Sequence, residues 1–189
     1  MSSVNPKYII ALVLVIAFVV FIKVTNPYRE YSTRDYWASA TVESVYKVPD
    51  EALKPGNRNG GVLMWAAMAA SEPKILAALV ERGAQINESD GVFMGTPLTG
   101  AAGYSSNPEI IDELIRLGAD IDQKVNNNED ALMVAAQYNT NPGIVERLVY
   151  HGADVSNKNL QGKTALDLAV KNNNDVARAA LERIMAEAL

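Results

Sequence analysis

The 189-residue chain contains one histidine, His151, and no cysteine. That inventory excludes thiolate nucleophiles, disulfides, zinc-finger ligand sets and any catalytic triad built on two histidines. His151 precedes Gly152 at the end of an apolar-periodic stretch, where an imidazole can meet the last helical carbonyls or stand in solvent. Asp120, Asp122, Glu129 and Asp130 have the oxygen chemistry that calcium takes, but their spacing departs from a calcium-loop pattern and reads as a solvated acidic turn. Gly60-Gly61 and Gly100-x-x-Gly103 form neither a phosphate loop nor a nucleophile elbow. No catalytic, metal-binding or cofactor-binding residues emerge, and an enzyme is not expected. With 17 Lys plus Arg against 22 Asp plus Glu, the net charge of -5 has the wrong sign for tracking a phosphate backbone, so no nucleic-acid partner is expected.

What remains is surface chemistry, and the elements that carry it recur along the chain. Gly83-Ala84-Gln85, Gly118-Ala119-Asp120 and Gly152-Ala153-Asp154 return at spacings of 35 and 34 residues. A small-residue pattern starts 22 residues before each glycine, at Gly61, Thr96 and Asp130, with a fourth start at Thr164. The alanine pairs Ala66-Ala67, Ala101-Ala102 and Ala135-Ala136 keep one offset, and Ala169-Val170 stands there in the fourth copy. A period of this length signals stacked supersecondary units.

Thr96-Pro97 supplies an N-cap hydroxyl and a first-turn proline for a short helix, whose alanines let neighbouring helices approach. After a polar turn containing Asn107-Pro108 or Asn141-Pro142, apolar residues at Ile110, Ile111, Leu114 and Ile115, or at Ile144, Val145, Leu148 and Val149, give a second helix one buried face. Gly83, Gly118 and Gly152 then sit where a left-handed cap is needed. Upstream, Tyr36, Trp37, Ala40 and Val45 read as a degenerate first helix pair, with Trp37 covering core. Downstream, Val176, Ala180, Leu181 and Ile184 predict a capping helix with a polar outer face.

From about residue 57 to 189 the chain resembles an ankyrin-repeat array, with Thr96-Pro97-Leu98 closest to the family's T-P-L-H-x-A hallmark. Gly61 and Asp130 replace the threonine in their copies, and Met64, Thr99 and Met133 stand where the family has histidine. The one-residue lengthening of the Asn-Pro loop resembles bacterial members. The resemblance implies an all-α ankyrin-repeat solenoid of three full repeats with a partial capping repeat at each end, and a protein as its partner.

Tyr8 to Ile22 is an uncharged apolar run unlike anything later in the chain. Asn5-Pro6 starts a helix and Asn26-Pro27 ends it. Residues 6–25 span about 30 Å at about 1.5 Å each, which matches a bilayer's hydrocarbon, and Lys7, Lys23, Tyr8 and Tyr28 suit its interfaces. No small-x-small cleavage site occurs until Ala38-Ser39-Ala40, which favours an uncleaved anchor over a signal peptide. The expected organisation is a transmembrane helix over 6–25, a tether over 26–34, and an array over 35–189 (N-cap 35–56, repeats near 57–91, 92–125 and 126–159, C-cap 160–189). Lys23, Arg29 and Arg34 against Lys7 favour a cytoplasmic array, whereas the six residues before Lys7 suit a signal anchor that exports the chain beyond it. The expectation is a single-pass inner-membrane protein with a periplasmic array.

Two functions fit: a tethered, monomeric interaction module that scaffolds, inhibits or protects another protein, or a structural envelope protein that self-associates or braces a membrane complex. In ankyrin arrays the partner contacts the concave face, which by resemblance implies Tyr104, Gln137, Tyr138 and Lys171 after the alanine pairs, and Val92, Phe93 and Leu160 at the hairpin tips. Tyr104 and Tyr138 share one repeat position, so stacking should bring their rings onto adjacent inner helices.

Overall fold

A computed structural model describes residues 28–54, 61–89 and 95–187. The segment expected to cross a membrane, 6–25, lies outside them. Among the described residues no helix is long and apolar enough to cross a membrane.

Among the described residues ten short α-helices succeed one another: α1 (Arg34–Ala38), α2 (Val42–Val45), α3 (Val62–Ala69), α4 (Lys74–Glu81), α5 (Pro97–Tyr104), α6 (Glu109–Arg116), α7 (Ala131–Tyr138), α8 (Pro142–Tyr150), α9 (Ala165–Lys171) and α10 (Asp175–Glu187). The odd-numbered helices stack in order as an inner layer and the even-numbered ones as an outer layer. No strand is present among the described residues; the loop between α6 and α7 closes through an isolated antiparallel bridge, Val125 to Glu129.

Small residues set the spacing of the inner layer. Ala66, Ala67, Ala101, Ala102, Ala135, Ala136 and Ala169 are fully buried, because only a methyl group fits between helices this close. Val170, the fourth copy's counterpart of the second alanine, is exposed, since no described element stacks beyond it. The outer helices supply the larger side chains: Ile75, Leu79, Ile110, Leu114, Ile144 and Leu148 are fully buried, each worth about 1.5–3 kcal/mol. On α10 the buried face is Ala177, Ala180 and Leu181, with Ile184 partly covered. Val176, expected on that face, is exposed, because the helix turns it one position off the seam.

Helix starts and stops obey local chemistry. The Thr96 hydroxyl accepts from the Thr99 N–H (3.2 Å) while the Thr99 hydroxyl accepts from the Thr96 N–H (2.8 Å). Thr99, standing where the family has histidine, thereby completes a reciprocal capping box. Asp130 caps α7 through the Met133 N–H at 2.9 Å. Thr164 and Asp167 repeat the box at α9, where the Thr164 N–H and hydroxyl hold the Asp167 carboxyl below the usual carboxylate range. Gly83, Gly118 and Gly152 have φ of 103°, 94° and 98°. Each gives a Schellman stop; at Gly118 the N–H groups of Gly118 and Ala119 reach the Ile115 and Leu114 carbonyls at 3.0 and 2.9 Å.

The N-terminal edge differs from the expected tether. Tyr28 and Tyr31 pack against the core, and the Trp37 indole, fully buried, donates to the Tyr31 carbonyl at 2.8 Å. The Tyr31 hydroxyl donates to the Lys47 carbonyl (3.2 Å). Residues 28–34 are therefore part of the fold, because their tyrosines have core to cover. Arg82, just past α4, clamps this edge by donating to the Val45 carbonyl, to the Val48 carbonyl (2.7 Å) and to Asp50.

Replacing Ala135 by Glu should destabilise the array by at least about 3 kcal/mol, through overpacking and an unpaired buried charge. A denaturant midpoint equal to that of the parent would mean that α7 does not pack as described. Gly118→Ala should cost about 1 kcal/mol by the same measurement, since its φ is unfavourable for a Cβ.

Candidate protein-binding groove

The exposed face of the inner helices is shaped by residues at matching repeat positions. Trp65 on α3, Gly100 on α5 and Val134 on α7 share one position; Met68, Gly103 and Gln137 share another. The middle copy thus has glycine where both neighbours have side chains. A Cβ on Gly100 would meet Met64 Cγ at 2.8 Å and Met68 Cγ at 3.2 Å, and one on Gly103 would meet Val134 Cγ1 at 3.1 Å. The hollow over α5 is a cleft of about 340 Å³, lined by Met64, Trp65 and Met68 on one side and by Tyr104, Val134, Tyr138 and Glu129 on the other.

Tyr104 and Tyr138 end α5 and α7 with parallel rings, centroids 6.0 Å apart and planes 15° from each other. They remain 44% and 54% exposed, so the pair presents apolar area to solvent that no described part of the chain covers. Arg34 Nη2 donates to the Tyr104 carbonyl at 3.1 Å, tying the N-terminal edge to this end of the groove.

The other implied positions are scattered. Leu160 is 77% exposed on the loop before α9, and Lys171 is exposed in the last turn of α9. Neither lines the cleft with the tyrosines. Gln137 lies on the inner face, but its amide is committed inward, donating to Glu129 Oε2 (2.7 Å) and to the Met133 carbonyl (3.2 Å). Val92 and Phe93 lie outside the described residues. Trp65, Met64 and Glu129 were not singled out from the sequence as groove residues. The available signal was Trp65 in register with Gly100, a bulky residue one repeat from a position without a side chain.

The acidic loop is not a solvated turn throughout. Asp130 is buried, and its Oδ2 accepts from Lys124 Nζ (2.8 Å) and Asn157 Nδ2 (3.1 Å). Asn127 and Gln161 exchange amide hydrogen bonds at 3.1 Å, and the Leu160 N–H reaches the Asn127 carbonyl at 3.0 Å. Neighbouring fingers are stitched into one rim. No group able to hold a metal ion occurs among the described residues. His151 meets a carboxylate and not the helix-end carbonyls: Nε2 lies 2.7 Å from Asp112 Oδ1 on the preceding outer helix, a contact between copies on the face opposite the groove.

At the other rim, asparagines bridge the copies. Asn139 Nδ2 donates to the Ala102 and Ser105 carbonyls at 2.9 Å each, and Asn174 Nδ2 to those of Ala136 and Asn139 at 3.1 and 2.8 Å. Asn107 and Asn141 reach the Ser71 and Ser106 carbonyls at 3.0 and 2.8 Å.

Residues 98–187 match the family model for ankyrin repeats, in three copies. That stretch, just under half of the chain, is similar to ankyrin repeats. These repeats are protein–protein interaction modules, typically non-enzymatic. The match begins at Leu98, so the place of α3 and α4 in the array rests on their stacking onto α5 and α6, and that of α1 and α2 on their stacking onto α3 and α4. No curated protein matches the chain.

Asn139→Ala should remove two buried inter-copy hydrogen bonds and leave two carbonyls unsatisfied, costing about 1–3 kcal/mol. Hydrogen exchange should show the loss concentrated at the ends of α5 and α7, whereas protection unchanged there would remove this bridge from the account of groove rigidity.

Proposed function

We propose that the chain is a membrane-anchored interaction module whose ankyrin groove binds one partner protein, to scaffold, inhibit or protect it. The observation that carries this reading is the parallel, half-exposed tyrosine pair beside an apolar cleft on the inner face. Tyrosine is a frequent anchor at interfaces, since it offers a large amphipathic surface with few rotatable bonds. A rigid scaffold holds the pair in place, so little ordering entropy is lost on binding.

The anchoring part of the proposal rests on the apolar run within 6–25. The fold begins by Tyr28, leaving only Asn26 and Pro27 between the span and packed structure. The groove would be held close to the bilayer surface and would meet partners there at raised effective concentration. The proposal places the protein in a bacterial inner membrane as a monomeric array on the exported, periplasmic side.

Replacing Tyr104 and Tyr138 together by Ala should weaken partner capture by at least about 2 kcal/mol, some thirtyfold in Kd, with little change in thermal stability. Capture from solubilised membranes, compared between parent and double variant, provides the measurement; full binding by a folded double variant would remove the groove. For topology, a reporter enzyme that matures only after export, fused after Leu189, should be active. A well-expressed but inactive fusion would place the array in the cytoplasm.

A further inference from the structure

The same cleft has a charge preference, an inference that rests on the groove reading and names the chemistry of the partner. One carboxylate, Glu129, stands among its aromatic and thioether walls. Glu129 is half-buried. Its Oε1 accepts from Asn127 Nδ2 (2.9 Å) and Asn159 Nδ2 (3.1 Å), and its Oε2 from Gln137 Nε2 (2.7 Å). All three donors are neutral amides. The adjacent Asp130 has Lys124 as its cation at 2.8 Å, but among the described residues no lysine, arginine or histidine pairs with Glu129. Arg34 reaches the Tyr104 carbonyl instead. Three bonds on a carboxylate with about four lone-pair sites leave room for one more donor.

A partly desolvated charge that is hydrogen-bonded but not neutralised favours a cation brought from outside. The remaining walls favour the same ligand, since the faces of Trp65, Tyr104 and Tyr138 carry the negative side of the ring quadrupole. At about 340 Å³ the cleft is at the small end of ligand pockets, suited to one side chain. Long-range charge acts in the same direction. Setting Lys7 and Lys23 aside from the 17 Lys plus Arg leaves 15 against 22 Asp plus Glu for the rest of the chain, a field that steers basic surfaces toward it.

We propose that the cleft receives a single arginine side chain of the partner protein, its guanidinium lying against the aromatic faces and donating to Glu129. Arginine fits better than lysine because its planar, weakly hydrated head both stacks and forks onto a carboxylate. Glu129 is thus held by its three amides as the specificity determinant of the groove.

The chain's two tryptophans make the test direct, since Trp65 lines the cleft while Trp37 is buried at the N-terminal edge. The full chain in detergent is titrated with N-acetylarginine amide and with its neutral isostere N-acetylcitrulline amide, and the two indole N–H resonances are tracked by NMR. Arginine amide should shift the Trp65 signal and leave Trp37 in place, while citrulline amide shifts neither. Glu129→Gln should weaken the response at least about fivefold, and added salt should weaken it in the parent. Tyr138→Leu, which leaves the amide network intact, should also weaken it, with an unmoved Trp37 signal reporting an intact fold in both variants. An equal response to citrulline, an unchanged response in folded Glu129→Gln, or no response at Trp65 would overturn the arginine site. The last outcome, combined with partner capture still lost in the tyrosine double variant, would leave the groove reading standing. An arginine response with capture indifferent to both tyrosines would overturn the groove reading, and with it the assignment of that arginine to the captured partner.

Discussion

Close approach of successive inner helices is the constraint on which the rest of this structure depends. No single helix pair here can bury its own apolar face; α5 and α6 together offer a seam that only α3 with α4 and α7 with α8 can cover. Alanine pairs at 66–67, 101–102 and 135–136 let the backbones come near enough for that cover to be complete. The outer helices, with isoleucine and leucine in place of alanine, lie farther apart.

Polar chemistry acts at the two rims of the same stack. At the finger rim, Glu129, Asp130, Asn127, Asn159 and Gln161 tie one loop to the next. At the other, Asn139 and Asn174 satisfy carbonyls that the ends of the preceding inner helices would leave open. Both sets run between copies, so they fix the relative rotation of adjacent repeats while the apolar seam supplies most of the stabilisation. The groove lies between the rims, and its shape is a by-product of that register. Gly100 and Gly103 let Met64, Met68 and Val134 close in on the middle copy, and the cleft opens beside them, between Trp65 and Tyr138. Tyr104 and Tyr138 stack because two equal positions in consecutive copies are brought face to face.

The periodicity of the glycine triplets and alanine pairs was enough to specify the order of helices, their caps and the two-layer stack, because each of those is decided within one repeat or between identical neighbours. The parallel tyrosines arise from the same translation of one position by one repeat. Local chemistry was also readable in the Thr96 cap and in the left-handed Gly83, Gly118 and Gly152, where the demand on the residue lies within a few positions of chain. Other features depend on partners remote in sequence. Residues 28–34 look like a polar tether until Trp37 and Lys47 are seen to bind Tyr31. Glu129 and Asp130 look like a solvated turn until Asn159, Gln137, Lys124 and Asn157 close around them. His151 meets the Tyr150 ring beside it but finds its carboxylate, Asp112, thirty-nine residues away. The cleft itself needs three consecutive copies, since its walls come from α3, α5 and α7. The repeat, and the demands each repeat makes on its residues, are thus written in the order of amino acids. Which charges are paired and where the stack leaves space are settled only in three dimensions, because both depend on side chains that meet after neighbouring copies have packed.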